Sequence, residues 1–343
     1  MIGVLTFHKV ANYGAYYQAL AQAKALEAKV IDASCASYLS HTSREQIFVD
    51  SRKSEMNLTT QTLVSSLQKD WIRFLNDISI STIVVGADEI WKTIDGKGYS
   101  PFLLEGFEGR KTASAVSANR LDYLSLSQEA LQRVGEALSD FQLIGVRDQH
   151  TYDFLSHVQE RTGIEIEKEL VPDPTWSLDF SIKKKKSQKP KLGLSLITNL
   201  TPTHKAFYEN LMGSFKNYEK EAVRVPSPLS DRNLLNLSPL EWVEWIGSLD
   251  FLITDSYHHA IFAMKLGIPF LAVEGKRLGK YQTKLEFLLQ DFPYLYIDPV
   301  RIKESPPAKI QVVSYWNDKE IKKFALSQRE KYTSFIKRIE DEV

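Results

Sequence analysis

Four short stretches carry the residue types from which a reactive centre can be built. In Phe7-His8-Lys9-Val10-Ala11-Asn12-Tyr13-Gly14-Ala15 an apolar run passes through a loop into an Ala-rich segment. Asn12 and Gly14 tolerate unusual backbone angles, and a helix starting there would offer free N–H groups to an anion. The plain alternative is an ordinary strand-to-helix turn with His8 a solvated polar residue. In Val85-Gly86-Ala87-Asp88-Glu89-Ile90-Trp91-Lys92 two carboxylates sit beside an indole. Carboxylates accept hydrogen bonds from sugar hydroxyls and an indole face covers a pyranose; equally, Asp88 could cap a helix over a packed Trp91. In Ile144-Gly145-Val146-Arg147-Asp148, Arg147 suits an anion and Asp148 a helix cap, with a structural Arg–Asp pairing as the competitor. The sharpest stretch is Leu252-Ile253-Thr254-Asp255-Ser256-Tyr257-His258-His259-Ala260. There an aspartate, a serine and two imidazoles meet one strand-to-helix junction. A phosphate placed beside an imidazole favours its cationic, proton-donating form. A helix cap followed by satisfied histidines is the bland version.

Several chemistries are set aside. Adjacency does not make a Ser-His-Asp triad, which needs approach in space. His258 and His259 point to different faces of a helix, which argues against a shared metal. Asp88 and Glu89 are more ordinary as hydrogen-bond acceptors than as Mg²⁺ ligands, so no metal is assigned. The glycines near 96–98 and 275–279 match neither a P-loop nor a dinucleotide fingerprint.

Side chains like these need a scaffold, and in open α/β sheets ligands bind beyond the carboxyl ends of the strands. Buried parallel strands are expected at Ile2 to Phe7, Thr82 to Val85, Thr112 to Val116 and Leu143 to Val146, then at Leu192 to Leu196, Phe251 to Thr254 and Phe270 to Val273. Helical spacing lies between many of them, at Ala15 to Ala28, Gln149 to His157 and His258 to Leu266. Strands alternating with helices argue for α/β layers with mainly parallel sheets. Ser181-Ile-Lys-Lys-Lys-Lys-Ser-Gln-Lys-Pro190 breaks the composition and reads as an exposed linker in preference to a polyanion patch. The expected division is a Rossmann-like domain over 1–180, a linker over 181–190, a second such domain over 191–316 and a C-terminal segment over 317–343. In that last segment Phe324, Leu326, Tyr332, Phe335, Ile336 and Ile339 mark an amphipathic helix that packs back on a domain surface. Residues 44–78, with Met56, Leu58, Leu63, Leu67, Trp71, Phe74 and Leu75, suggest helices in a lid or an insertion.

Composition bounds the partners. The 343 residues suffice for about two domains, and 43% hydrophobic with 25% charged residues is the balance of a globular protein. Forty-three basic residues against forty-three acidic ones leave no global field to hold nucleic acid. The lone Cys35 excludes an intrachain disulfide and a cysteine-based zinc site. No run reaches the ~18 apolar residues of a membrane span. The N-terminal Met-Ile-Gly-Val-Leu-Thr-Phe-His reads as a strand instead of a secretory signal. The expected location is the cytoplasm, with peripheral attachment at the inner face of the membrane allowed.

Taken in order, the four stretches resemble the polysaccharide pyruvyl transferase family. Its Asn-Tyr-Gly-Ala turn is found as Asn12-Tyr13-Gly14-Ala15 and its Gly-Ser-Asp-Gln-hydrophobic-Trp segment as Gly86-Ala87-Asp88-Glu89-Ile90-Trp91. Gly145-Val146-Arg147-Asp148 and Asp173-Pro174-Thr175 follow. Thr254-Asp255-Ser256-Tyr257-His258-His259 then stands for Thr-Asp-Ser-Phe-His-Gly, before the strand entry Ile268-Pro269-Phe270. The resemblance covers roughly residues 1 to 290.

It implies a GT-B-like pair of domains with the active cleft between them. The implied reaction moves the carboxyethylidene group of phosphoenolpyruvate onto two hydroxyls of a saccharide or lipid-linked saccharide, releasing phosphate and needing no further cofactor. His258 is then the general acid or phosphate ligand, with Asp88 or Glu89 the base. Arg147, Ser256, His259, Lys276, Arg277 and Lys280 are the implied donor contacts, and His8, Asn12, Gly14 and Trp91 the acceptor contacts. The sequence also departs from the pattern. Ser256 stands where some members carry Arg, His259 replaces Gly, Ala87 and Glu89 replace Ser and Gln, and Lys92 replaces a common Asn. These departures keep two alternatives open: a glycosyltransferase using a nucleotide-sugar, or a non-catalytic component of an exopolysaccharide machine.

Overall fold

The computed structural model describes residues 1–34, 42–92, 94, 100–119, 121–182, 188–197, 202–275, 282–300 and 316–341. The chain divides into two compact units, Met1–Leu178 with Ser327–Val343, and Asp179–Leu326.

The first unit runs β1 (Ile2–Leu5), α1 (Tyr13–Ala25), β2 (Lys29–Ser34), α2 (Ser43–Glu55), β3 (Leu58–Val64), α3 (Gln68–Asp77), β4 (Thr82–Val85), β5 (Arg110–Val116), α4 (Gln128–Ser139), β6 (Phe141–Val146), α5 (Gln149–Thr162) and β7 (Lys168–Leu170). Its strands form one parallel sheet in the order β3-β2-β1-β4-β5-β6-β7. The second unit contains β8 (Lys191–Ser195), α6 (Pro202–Met212), β9 (Glu219–Val223), β10 (Arg232–Leu234), α7 (Pro239–Ser248), β11 (Phe251–Thr254), α8 (Tyr257–Leu266), β12 (Phe270–Val273), α9 (Lys284–Leu288) and β13 (Tyr296–Ile297). Its sheet, also parallel, has the order β10-β9-β8-β11-β12-β13.

Both sheets obey one rule. The chain winds outward from the first strand, then returns to that strand's other side and winds outward again. Strand order therefore reverses between β1 and β4 in one unit and between β8 and β11 in the other. Such reversal points leave a crevice at the carboxyl ends, where open α/β sheets take ligands. Three of the four chemical stretches follow strands that flank a reversal, β1, β4 and β11, and the stretch with Arg147 follows β6.

The elements form for local reasons. β4, β11 and β12 are four-residue apolar runs buried at every position, as two-sided parallel strands require. In α1 every residue from Tyr13 to Ala23 is buried, matching its apolar character all round. α2 starts on a capping box in which Thr42 and Glu45 satisfy one another's backbone N–H groups. Residues 44–78 are neither lid nor insertion: they supply most of α2, the edge strand β3 and α3. Their polar Thr-Thr-Gln-Thr core reads poorly as a strand, because β3 is a sheet edge with its centre exposed.

The last helix, α10 (Asp318–Asp341), begins in the second unit and ends in the first. Tyr332, Phe335, Ile336 and Ile339 join Val4, Val84, Leu143 and Val171 in the first unit's core. Burial of Phe335, Ile336 and Ile339 contributes about 1.5–3 kcal/mol each. Gly145 makes that approach possible, since a Cβ there would lie 2.6 Å from the Phe335 ring. Leu326, part of the apolar spacing, is 58% exposed instead.

Candidate active site

In the second unit the reversal point is built by the junction after β11. Thr254 Oγ1 and the Asp255 N–H both donate to the Ser195 carbonyl at 3.1 Å, extending the β8–β11 ladder by one step. The Asp255 carboxylate accepts the Ile197 N–H at 2.8 and 2.9 Å and so ties down the loop leaving β8. Ser256 is the N-cap of α8 in extended conformation, yet its side chain makes no capping hydrogen bond. A helix N-terminus favours anions through the direction of its N–H groups and its dipole. His258 lies half-buried in the first turn, its ring edge-on to Tyr257 at 5.2 Å. The Ser195 hydroxyl, at the end of β8, is buried with no hydrogen-bond partner among the described residues. Beyond β12, buried Glu274 accepts from Thr283 Oγ1 at 2.6 Å and Tyr296 OH at 2.7 Å.

In the first unit the matching place lies after β1 and β4. Asn12 caps α1 by accepting the Gly14 N–H at 3.0 Å. Gly86 follows β4 with φ +118°, and a Cβ there would fall 2.1 Å from the Ser114 carbonyl oxygen, so only glycine fits. Asp88 adopts φ +78°, a conformation Asp tolerates better than most residues, and its carbonyl accepts the Ser117 N–H at 2.9 Å. Its carboxylate accepts the Glu89 N–H at 2.8 Å and pairs with Arg147 at 3.4 Å. Arg147 bonds Asp173 at 3.1 Å with its other terminal nitrogen, and Gln18 from α1 donates to the same carboxylate at 2.6 Å. Asp173 also accepts from the Thr175 N–H and hydroxyl, at 3.0 and 2.6 Å. Three motif segments are thus joined through one buried guanidinium.

With this geometry in place, comparison with known proteins decides the family. The polysaccharide pyruvyl transferase family model matches residues 12–277. The chain belongs to that family. No curated protein matches this family member in sequence. In fold it is similar to UGT73P12 of Glycyrrhiza uralensis, solved with glycyrrhetinic acid 3-O-monoglucuronide, at TM-score 0.54 and 8% identity, covering 99% of this chain and 95% of that one. It is also similar to the UDP-GlcNAc 2-epimerase of Neisseria meningitidis bound to UDP-GlcNAc, at TM-score 0.52 and 10% identity, covering 98% and 93%. The structural neighbours are GT-B glycosyltransferases and epimerases, and the likeness at these identities is one of fold.

Within this family member the expected site residues separate into two groups. Ser256 and His258 stand at the α8 N-terminus, Asn12 at that of α1, and Glu89 half-buried after β4. Others are core residues. Trp91 is fully buried, its Nε1 donating to the Phe102 carbonyl at 3.2 Å, so its faces are spent on packing instead of on a sugar. His259 is also buried, and its Nε2 accepts the Trp242 indole N–H at 2.7 Å with the rings edge-on at 4.8 Å. The replacement of glycine at 259 is therefore accommodated by Trp242 inside the unit. Gly14 and His8 are buried too, and His8 is not a solvated residue: it reaches Asp32 at 3.3 Å. Arg147 has a side chain only 1% exposed and occupied by two carboxylates, which removes it from the groups presented to a donor. Lys276, Arg277 and Lys280 lie outside the described residues, as do Cys35, residues 95–99 and the lysine run over 183–186.

Sequence reasoning missed Asp173 as a partner of Arg147, Gln18 as a donor to Asp173, and Asp32 as the acid beside His8 and Lys9. The Asp-Pro-Thr motif was the available signal for Asp173; nothing local announced the other two. Burial works to raise Asp32, but hydrogen bonds from His8 and Lys9 and their charges hold its carboxyl down to about 2.

Burial pushes the His259 imidazole well below its ordinary value of 6.5, aided by the charges of Arg224 and His258. Burial also lowers His8 and His150. The folded state disfavours protonation of these rings, most of all of His259, while the unfolded chain protonates them near 6.5. Below that pH the unfolded state binds more protons, so stability falls as pH drops, by up to about 1.4 kcal/mol per pH unit for each such ring. The melting temperature should decline between pH 7 and pH 5. His259→Gln keeps an acceptor for Trp242 but does not titrate, and should make that decline shallower. An equally steep decline in His259→Gln would show that His259 is not a source of the pH dependence.

Proposed function

We propose that this protein transfers the carboxyethylidene group of phosphoenolpyruvate to two hydroxyls of a saccharide acceptor. The observation that carries this reading is the placement of the α8 N-terminus at the β8–β11 reversal point, with Ser256 at the cap and His258 in the first turn, in a member of this family. The donor brings phosphate and carboxylate, and helix N–H groups and an imidazole are suited to such anions.

The chemistry balances without a further reagent. The donor's methylene carbon takes a proton and becomes a methyl group, leaving its second carbon oxocarbenium-like. One sugar hydroxyl adds to that carbon, phosphate leaves with its bonding electron pair, and the second hydroxyl closes the ketal. Of the two protons given up by the hydroxyls, one makes good the proton in the new methyl group and the other leaves with phosphate. His258 is assigned as the acid or as the phosphate's ligand. Asp88, which also pairs with Arg147, or Glu89 is assigned as the base. Asn12, at the N-terminus of α1, is assigned to the acceptor side, and no metal or additional cofactor takes part. The proposed place of the reaction is the cytoplasm. Among the described residues no helix is long and apolar enough to cross a membrane.

The test is phosphate release from phosphoenolpyruvate in the presence of oligosaccharide acceptors, paired with thermal shift. Ligands that bind only the folded state raise its melting temperature. Phosphoenolpyruvate should stabilise the protein and uridine diphosphate should not. The reverse result, or no turnover with any acceptor, overturns the proposal. The reverse result would favour a nucleotide-sugar donor, consistent with Ser256 in place of an arginine.

A further inference from the structure

A cavity of about 470 Å³ opens in the first unit between the loop after β1 and α2, from the cap Thr42 to Arg52 in the last turn. Its volume lies within the ~300–1,000 Å³ typical of small-molecule sites, and it sits at the carboxyl edge of the sheet. Its wall is amphipathic. Val10, Phe48 and Val49 supply apolar surface, while Ser43 and Gln46 supply polar groups.

The charged groups on that wall are unequal. Lys9 and Arg52 both line the cavity, and both are more than nine-tenths buried. Glu45 is the carboxylate among the described lining residues, and it is engaged in the capping box with Thr42. Lys9 pairs with Asp32 at 2.8 Å. Arg44 donates to the Ala11 carbonyl at 3.1 Å and lies 5.6 Å from the Tyr13 ring centre, fixing the loop that forms one wall. Cations shielded from water interact more strongly with an anion than exposed ones do. Apolar side chains beside them suit the C–H face of a sugar ring.

We propose that this cavity binds an acidic saccharide: a sugar ring bearing a carboxylate or a phosphate, its anionic group held by Arg52 and Lys9. The inference rests on the saccharide-transfer reading above and names the class of acceptor. It assigns a place in the molecule to the part of the acceptor that is not transformed.

The test is binding to the full chain by calorimetry or ligand-observed NMR, without phosphoenolpyruvate. The probes are glucuronate, glucose 1-phosphate, neutral glucose and inorganic phosphate. At least one acidic sugar should bind about tenfold or more tighter than glucose and than inorganic phosphate, equivalent to roughly 1.4 kcal/mol. Whichever acidic sugar binds tighter identifies the anionic group. Lys9→Met should reduce that binding about tenfold, the low end for a charge-assisted hydrogen bond. Ser43→Glu should do the same, by adding a carboxylate to the wall. That change also suits the first turn of α2, so the fold is retained.

Equal binding of acidic and neutral sugars overturns the inference. So does acidic-sugar binding that survives both substitutions but is lost in His258→Ala, which would put the anion at α8. Because no donor is present, failure here leaves phosphate release from phosphoenolpyruvate unaffected. Failure of the transfer reading likewise leaves the binding result intact.

Discussion

His258→Ala is expected to lower acceptor-dependent phosphate release from phosphoenolpyruvate by about 10²–10⁴-fold, the usual contribution of a positioned proton donor. The substitution falls on a half-buried side chain in the first turn of α8, so the fold should survive it. His258→Gln separates the two roles open to the ring. Glutamine donates a hydrogen bond but no proton. If His258 is the acid, His258→Gln should be as slow as His258→Ala while phosphoenolpyruvate still raises its melting temperature. If it is chiefly a phosphate ligand, His258→Gln should recover much of the rate and His258→Ala should show mainly a raised KM. Release at the native rate in both variants would remove His258 from the reaction.

The second large effect is structural. Arg147→Met should destabilise the first unit by about 3–5 kcal/mol, because it strands two carboxylates in the interior. Asp173 is fully buried and the Asp88 side chain is only 16% exposed, so neither is well solvated once the guanidinium is gone. Urea unfolding followed by circular dichroism reads the effect. Adding Asp173→Asn to Arg147→Met should recover part of the loss by removing one unpaired charge. The same experiment distinguishes a buried tie from a donor contact. A donor contact would leave the unfolding midpoint unchanged and raise KM for phosphoenolpyruvate.

The contrast between Arg147 and His258 shows how far local reading reaches. Both follow apolar strands and both belong to recognisable motifs. A strand-to-helix junction sets where a residue stands on the sheet edge, and for His258 that was enough to locate it in the first turn of a helix after β11. The fate of Arg147 depended on Asp88, 59 positions away, and Asp173, 26 positions away. Trp91 and His259 make the same point. An indole beside two acids resembles a sugar platform until it is found fully buried, bonded to the Phe102 carbonyl and edge-on to Phe141. A histidine in place of glycine resembles a rebuilt site until Trp242 is found bonded to it.

The sequence alone determined the α/β class, the seven most apolar strands and the long terminal helix, because two-sided burial and helical spacing are written in consecutive residues. It also determined the family, since motif order survives where overall identity does not. Folding decided the rest. The polar edge strand β3 owes its state to pairing with β2. The cavity beside Lys9 and Arg52 exists because α2 packs near the loop after β1. Whether a motif's charged group meets a ligand or another residue is set by what the remote chain brings within a few ångströms, and spacing along the chain does not encode that distance.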